Sequence, residues 1–73
     1  MIRVIRNRAG HYLKADGEWS EKFDEAECFD NATAVINARM RFRLTKVEML
    51  LVVGARPSKL DVVVPMSDVP FAR

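Results

Sequence analysis

The sequence predicts an α+β domain: one small antiparallel sheet of two hairpins with a single helix on one face, in the order β-β-(short β)-α-β-β. Three observations carry this. The stretch Lys46 to Gly54 reads Lys-Val-Glu-Met-Leu-Leu-Val-Val-Gly, and after Glu48 it is apolar at every position up to the glycine. Such a run suits a strand covered on both faces, since a half-solvated strand would alternate. Residues 31–41 hold the longest breaker-free segment of helical character, and turn formers divide most of the rest into short extended runs.

Taken in order, Ile2, Val4 and Ile5 flank Arg3 as in a strand with one buried face. Asn7-Arg8-Ala9-Gly10 is a turn, with the glycine free to take a positive φ. His11 to Ala15 resumes extended character, which makes the first hairpin. Asp16-Gly17 turns the chain again, and Trp19 returns to the edge of the core. Residues 20–25 are polar around Phe23 and read as a loop; Ala26, Cys28 and Phe29 suit a short strand or bridge.

Asp30 is a good helix N-cap and Asn31 an alternative. Ala32, Val35, Ile36 and Met40 form an apolar stripe at helical spacing, extended by Ala38 and Phe42. Phe29 is placed to act as a hydrophobic staple before the cap. Met40-Arg41-Phe42-Arg43-Leu44 also alternates as a strand would, so residues 40–44 admit both readings. The helix is ended near Arg41, because Ala, Met and Arg favour helix and cations suit its C-terminus. Leu44-Thr45 turns into the central strand. Gly54-Ala55-Arg56-Pro57-Ser58 is a loop, and Leu60 to Val64 completes a second hairpin that Pro65 stops. Residues 1–73 form one domain, with residues 65–73 as an extended, proline-containing tail anchored by Phe71.

Tyr12-Leu13-Lys14, Asp16-Gly17, Trp19-Ser20, then Ala26 and Phe29-Asp30 before a helix form a pattern over roughly residues 11–53. It resembles one found among small uncharacterised bacterial and phage proteins. In these a hairpin ending in a Gly-x-Trp turn leads through an Ala-x-x-Phe step into one helix and a closing strand. The resemblance implies topology and no activity. The chain departs from it after residue 54, where a further strand and the tail follow.

One cysteine and one histidine exclude a disulfide framework or a zinc module. A lone thiol fits a reducing compartment, the N-terminus lacks the apolar run of a signal peptide, and no stretch reaches membrane-spanning length. The expectation is a cytoplasmic protein without membrane contact. His11 stands beside a turn with no ligand partner at metal spacing. Cys28 has Glu25, Glu27 and Asp30 as sequence neighbours, which disfavour a thiolate, so it is expected to be a small apolar filler. The acidic run Asp16, Glu18, Glu21, Asp24, Glu25, Glu27 lacks the order of a calcium loop, and no phosphate-cradling glycine loop or nucleophile elbow is present. No catalytic residue, metal or cofactor is expected, and the chain is read as non-enzymatic.

Charge is segregated. Residues 1–14, 15–30, 31–59 and 60–73 carry +4, −6, +5 and −1, within a net charge of +2. The acidic segment is expected to lie across the basic ones in the fold, leaving Arg39, Arg41, Arg43 and Lys46 as the cluster that could meet nucleic-acid phosphates. A stronger expectation concerns apolar surface. One helix covers one face of the sheet, so the other face would expose Leu50, Val52 and Val63 unless the tail, through Met66, Val69 and Phe71, folds back over it. Leu50, Val52, Val63 and Phe71 are therefore the expected interface, and the expected function is a small protein-interaction module or accessory subunit, homodimeric or bound to another protein. The second reading is a nucleic-acid-associated regulator.

Overall fold

The computed structural model describes residues 2–66. Two six-residue strands, β1 (Ile2–Asn7) and β4 (Val47–Val52), pair antiparallel along their whole length, from Ile2 opposite Val52 to Asn7 opposite Val47. The short strands β2 (Tyr12–Leu13) and β3 (Trp19–Ser20) extend the sheet on the β1 side, and β5 (Val62–Pro65) extends it on the β4 side. The result is a five-stranded antiparallel sheet in the order β3-β2-β1-β4-β5, with one helix, α1 (Ala32–Arg41), among the described residues. The α+β expectation holds, and the apolar run of residues 49–53 falls mostly on an interior strand. The short third strand is Trp19–Ser20, formed after the Gly17 turn. Residues 26–29 contribute only a bridge from Phe29 to Arg3.

Register sorts the side chains onto two faces. Ile5, Met49 and Val64 lie in one row and Arg3, Leu51 and Val62 in the next, all on the face that meets α1. Val4, Leu50 and Val63 share the opposite face, as do Ile2 with Val52 and Arg6 with Glu48. The core is correspondingly double. On the helix face Ile5, Leu13, Val35, Ala38, Leu44 and Val47 are buried, with Trp19, Phe29, Phe42, Met49 and Met66 packed against them. On the opposite face Val4, Leu50 and Val52 are buried beneath Ile2, Tyr12, Phe23 and Ala26.

That second cluster corrects the expectation of an uncovered sheet face. The segment between β3 and α1 crosses the sheet as a strap, built on a single 3-10 turn at Phe23–Glu25. Phe23 meets Tyr12 edge-to-face, with ring centroids 5.5 Å apart at 79°. The Ser20 hydroxyl donates to the Glu25 carboxylate and accepts from the Lys22 amide, which fixes the entry to the turn. The Glu27 amide donates to the Leu13 carbonyl at 2.9 Å, and the Phe29 amide donates to the Arg3 carbonyl at 2.8 Å. An acidic, polar stretch can close a core face because two of its residues, Phe23 and Ala26, turn inward while its carboxylates remain in water.

The helix is capped by Asn31, whose side chain accepts from the Ala34 amide at 2.8 Å; the cap is therefore the alternative, Asn31, and not Asp30, one residue earlier. The helix ends at Arg41, as expected from the sequence. Phe42 is the C-cap, and the next residue, Arg43, is left-handed with φ 53°. The Leu44 amide donates to the Arg39 carbonyl at 3.0 Å and the Arg43 amide to the Met40 carbonyl at 3.3 Å. This is the Schellman arrangement, with arginine where glycine is usual, at a cost of about 1 kcal/mol for a left-handed L-residue. The buried side of α1 also differs from expectation. Val35, Ala38 and Arg39 are buried, whereas Ile36 and Met40 are exposed, because the helix leans over β1 and leaves β5 without helical cover.

Candidate interaction surfaces

Part of the exposed apolar surface lies on α1 and β5, and Val53, Leu60 and Val63 are exposed besides. Ile36 is 49% exposed and Met40 56%, one turn apart on the same side of the helix, and Val62 on β5 is 51% exposed. Between helix and strand runs a groove of about 330 Å³ lined by Ala32, Val35, Ile36, Arg39, Met49, Val64, Pro65 and Met66. Its lining is apolar apart from Arg39, and it holds no carboxylate, imidazole or thiol. Ridge and groove therefore lie side by side on one face.

The edge of β5 is poorly suited to strand addition. The Met66 amide donates to the Val47 carbonyl, so with period-two alternation Val62 and Val64 turn their backbone groups toward β4. Val63 and Pro65 then face the open edge, and Pro65 has no N–H to offer there. A four-residue strand with proline on its outer side is a blunted edge, so contact on this side of the molecule falls to side chains.

Of the expected interface residues, Leu50 and Val52 are 2% and 0% exposed beneath the strap and cannot touch a partner while the strap is closed. Val63 remains 43% exposed at the margin of the strap. Phe71 and Val69, through which the tail was expected to cover this face, lie outside the described residues. The groove between α1 and β5 was not foreseen. Its signal was present in the contest at residues 39–43, where an arginine falls inside the apolar stripe and forces a choice about which side of the helix turns inward.

The expected basic cluster is divided. Arg39 is buried, and its Nε donates to the Leu44 carbonyl at 3.3 Å, so it serves the end of the helix. Arg41 is exposed and lies 5.1 Å from the centroid of the Phe42 ring. Arg43 and Lys46 are exposed on the connection to β4, both left-handed, with φ 53° and 56°. A shallow depression of about 330 Å³ brings Lys46 and Thr45 against Asn7, Arg8 and Ala9 of the first turn and the indole of Trp19. The sequence reading joins Arg8 to this cluster, with Arg3 and Arg6, but not Trp19, because β3 and the two turns are far apart in the chain.

Several other basic residues have carboxylate or carbonyl partners. Arg6 pairs with Glu48, its Nε 2.6 Å from Oε2, on the strap face. Arg56 meets Asp24 at 2.8 Å, and His11 and Lys14 stand 3.7 and 4.0 Å from Glu21 and Asp16. Arg3 donates to the Asp30 carbonyl at 2.9 Å. These contacts lay part of the acidic segment against basic residues, as the charge pattern predicts, although exposed pairs of this kind contribute little to stability.

The chain matches no protein-family profile, no curated protein and no solved structure. Among the described residues no group of His, Cys, Asp or Glu is placed to hold a metal ion, and no helix is long and apolar enough to cross a membrane. Cys28 is exposed, its thiol 3.8 Å from the Ala26 carbonyl, and does not fill the core as expected.

Proposed function

We propose that this chain is a small non-enzymatic interaction module that self-associates through the face formed by α1 and β5. The observation that carries the reading is the exposed Ile36–Met40 ridge of α1 beside an apolar groove that Ile36 itself lines, with Val62 exposed on β5, the strand that supplies the groove's other wall. A ridge beside a groove is self-complementary about a two-fold axis: the Ile36–Met40 ridge of each copy enters the groove of the other. Each of the three side chains is about half exposed, so its occlusion is worth roughly 1 kcal/mol, half the value for complete burial. A two-fold contact counts each twice, giving about 6 kcal/mol before the groove lining is included, against an association cost of about 4 kcal/mol or more. That leaves about 2 kcal/mol, to which the groove lining adds; with about 2 kcal/mol or somewhat more from the lining the dimer is weak, its dissociation constant about 1 mM or a little below. A reducing compartment such as the cytoplasm suits a surface that carries an unpaired cysteine.

Sedimentation equilibrium from micromolar to millimolar concentration tests the reading. The wild type should show a rising average mass. Ile36→Asp, on the surface and so compatible with folding, should shift the association by about thirty-fold or more, because the loss of about 1 kcal/mol occurs twice per dimer. A strict monomer throughout, or an Ile36→Asp variant that associates as the wild type does, overturns it.

A further inference from the structure

The chain leaves its last described strand at the rim of the apolar groove. Pro65 ends β5 and lines the groove together with Met66, whose amide donates to the Val47 carbonyl at 3.4 Å. Met66 packs against the helix-face core of Ile5, Val35 and Val47, not against the cluster beneath the strap. The face that the tail was expected to cover is taken by the strap, and the tail starts on the other side of the sheet.

The segment that follows, Ser67-Asp68-Val69-Pro70-Phe71, matches the groove in length, shape and charge. The groove runs along α1 from Ala32 to Arg39, about 10 Å at about 1.5 Å per residue, and five extended residues reach up to about 17 Å. Pro70 favours an extended Val69, and residues two apart in an extended chain point to one side, so Val69 and Phe71 make an apolar pair. The groove, at about 330 Å³, is more than twice the ~150 Å³ that accepts a benzene ring. Among the described residues of its lining Arg39 is the one that is charged, and Asp68 is the one charged residue of the segment. The Arg39 side chain reaches the Leu44 carbonyl and the Met66 amide the Val47 carbonyl, so the guanidinium and the start of the tail share the end of the groove where α1 leads into β4. A guanidinium has five N–H donors and can serve a carbonyl and a carboxylate together.

We infer that residues 67–71 occupy the α1–β5 groove of their own chain, with Val69 and Phe71 turned into it and Asp68 meeting Arg39. The tail is then an internal competitor for the surface through which two copies meet, and in that consequence the inference rests on the self-association reading. Burial of two apolar side chains is set against the ordering of five residues, opposing terms of similar size, so occupied and open forms are both populated. With the groove closed in about half of the copies, a dimer that needs two open grooves is weakened about four-fold.

The test uses the full chain at about 50 µM, below the millimolar dissociation range, where contacts fall within one copy. The expected result is nuclear Overhauser effects from the Phe71 ring to methyl groups of Val35, Ile36 and Val64, unchanged on further dilution. Phe71→Ser, which leaves the described core untouched, should dimerise about four-fold more tightly than the wild type in sedimentation equilibrium. Absence of these effects overturns the inference, as do ring contacts to Leu50, Val52 and Val63 instead. Effects that fade on dilution overturn it too, since the ring would then sit in another copy. If the wild type associates and Phe71→Ser associates no better, the tail does not gate the groove, and the inference falls while self-association stands. If the ring contacts are present and both proteins stay monomeric to millimolar concentration, occupancy by the tail is upheld and the self-association reading fails.

Discussion

Replacing Phe23 by Ala removes the one large side chain with which the strap closes the second sheet face. Complete burial would make the loss about 3–5 kcal/mol. Phe23 is half-buried, so about 2 kcal/mol is the appropriate share, and the lost edge-to-face contact with Tyr12 adds about 0.5–1 kcal/mol. A domain of 73 residues has about 4–11 kcal/mol in all, so the variant should lose a quarter or more of its stability. Its melting temperature should fall by about 10–20 °C, at about 4–8 °C per kcal/mol for a chain of this size. Urea unfolding followed by circular dichroism gives the free-energy change directly. The newly uncovered Val4, Leu50 and Val52 should also raise binding of a hydrophobic dye. Met40→Ala is the matched control, since Met40 projects from α1 and should change stability by less than about 0.5 kcal/mol. If Phe23→Ala costs no more than Met40→Ala, the strap does not hold the second face closed and the reasoning fails.

Replacing glycine at positive φ should lower stability, and introducing it there should raise stability. Gly10 and Gly17 have φ of 85° and 89°, but a Cβ at Gly17 would stand 2.8 Å from the Phe42 ring while one at Gly10 meets nothing within 4 Å. Urea titration should show Gly10→Ala costing about 1 kcal/mol for the left-handed backbone alone, with Gly17→Ala costing at least 1 kcal/mol more as Phe42 is displaced. Arg43→Gly relieves the left-handed arginine after α1 and should raise stability by about 0.5–1 kcal/mol. A destabilised Arg43→Gly chain would show that the arginine side chain anchors the turn.

The strands and the helix were readable because each rests on a local pattern. The β4 run is apolar on both faces, Gly10 and Gly17 punctuate the hairpins at positive φ, and Asn31 offers a cap three residues before the amide it binds. What covers each face was not readable, since it depends on where segments cross. Phe23 is a single aromatic among acids, and nothing local distinguishes a strap residue from a loop residue. The helix stripe misled for a related reason. Ile36 and Met40 are as apolar as Val35 and Ala38, and only the lean of α1 toward β1 decides which pair is buried. Arg39 was counted as a surface cation because arginine is seldom buried. Here its reach to the Leu44 carbonyl and its place at the helix end make burial tolerable. The depression at Trp19 joins β3 to two turns remote in sequence, so no motif could announce it.

The central claim is that the strap closes one sheet face and leaves the α1–β5 face for contact. A concentration series of amide nitrogen–proton NMR spectra tests it residue by residue. From about 20 µM to 1 mM, a span chosen to reach the expected dissociation range, shifts should move at Ile36, Met40 and Val62–Val64, with Val4, Leu50 and Val52 unmoved. Spectra that do not depend on concentration would contradict the account, as would shifts centred on Leu50, Val52, Tyr12 and Phe23.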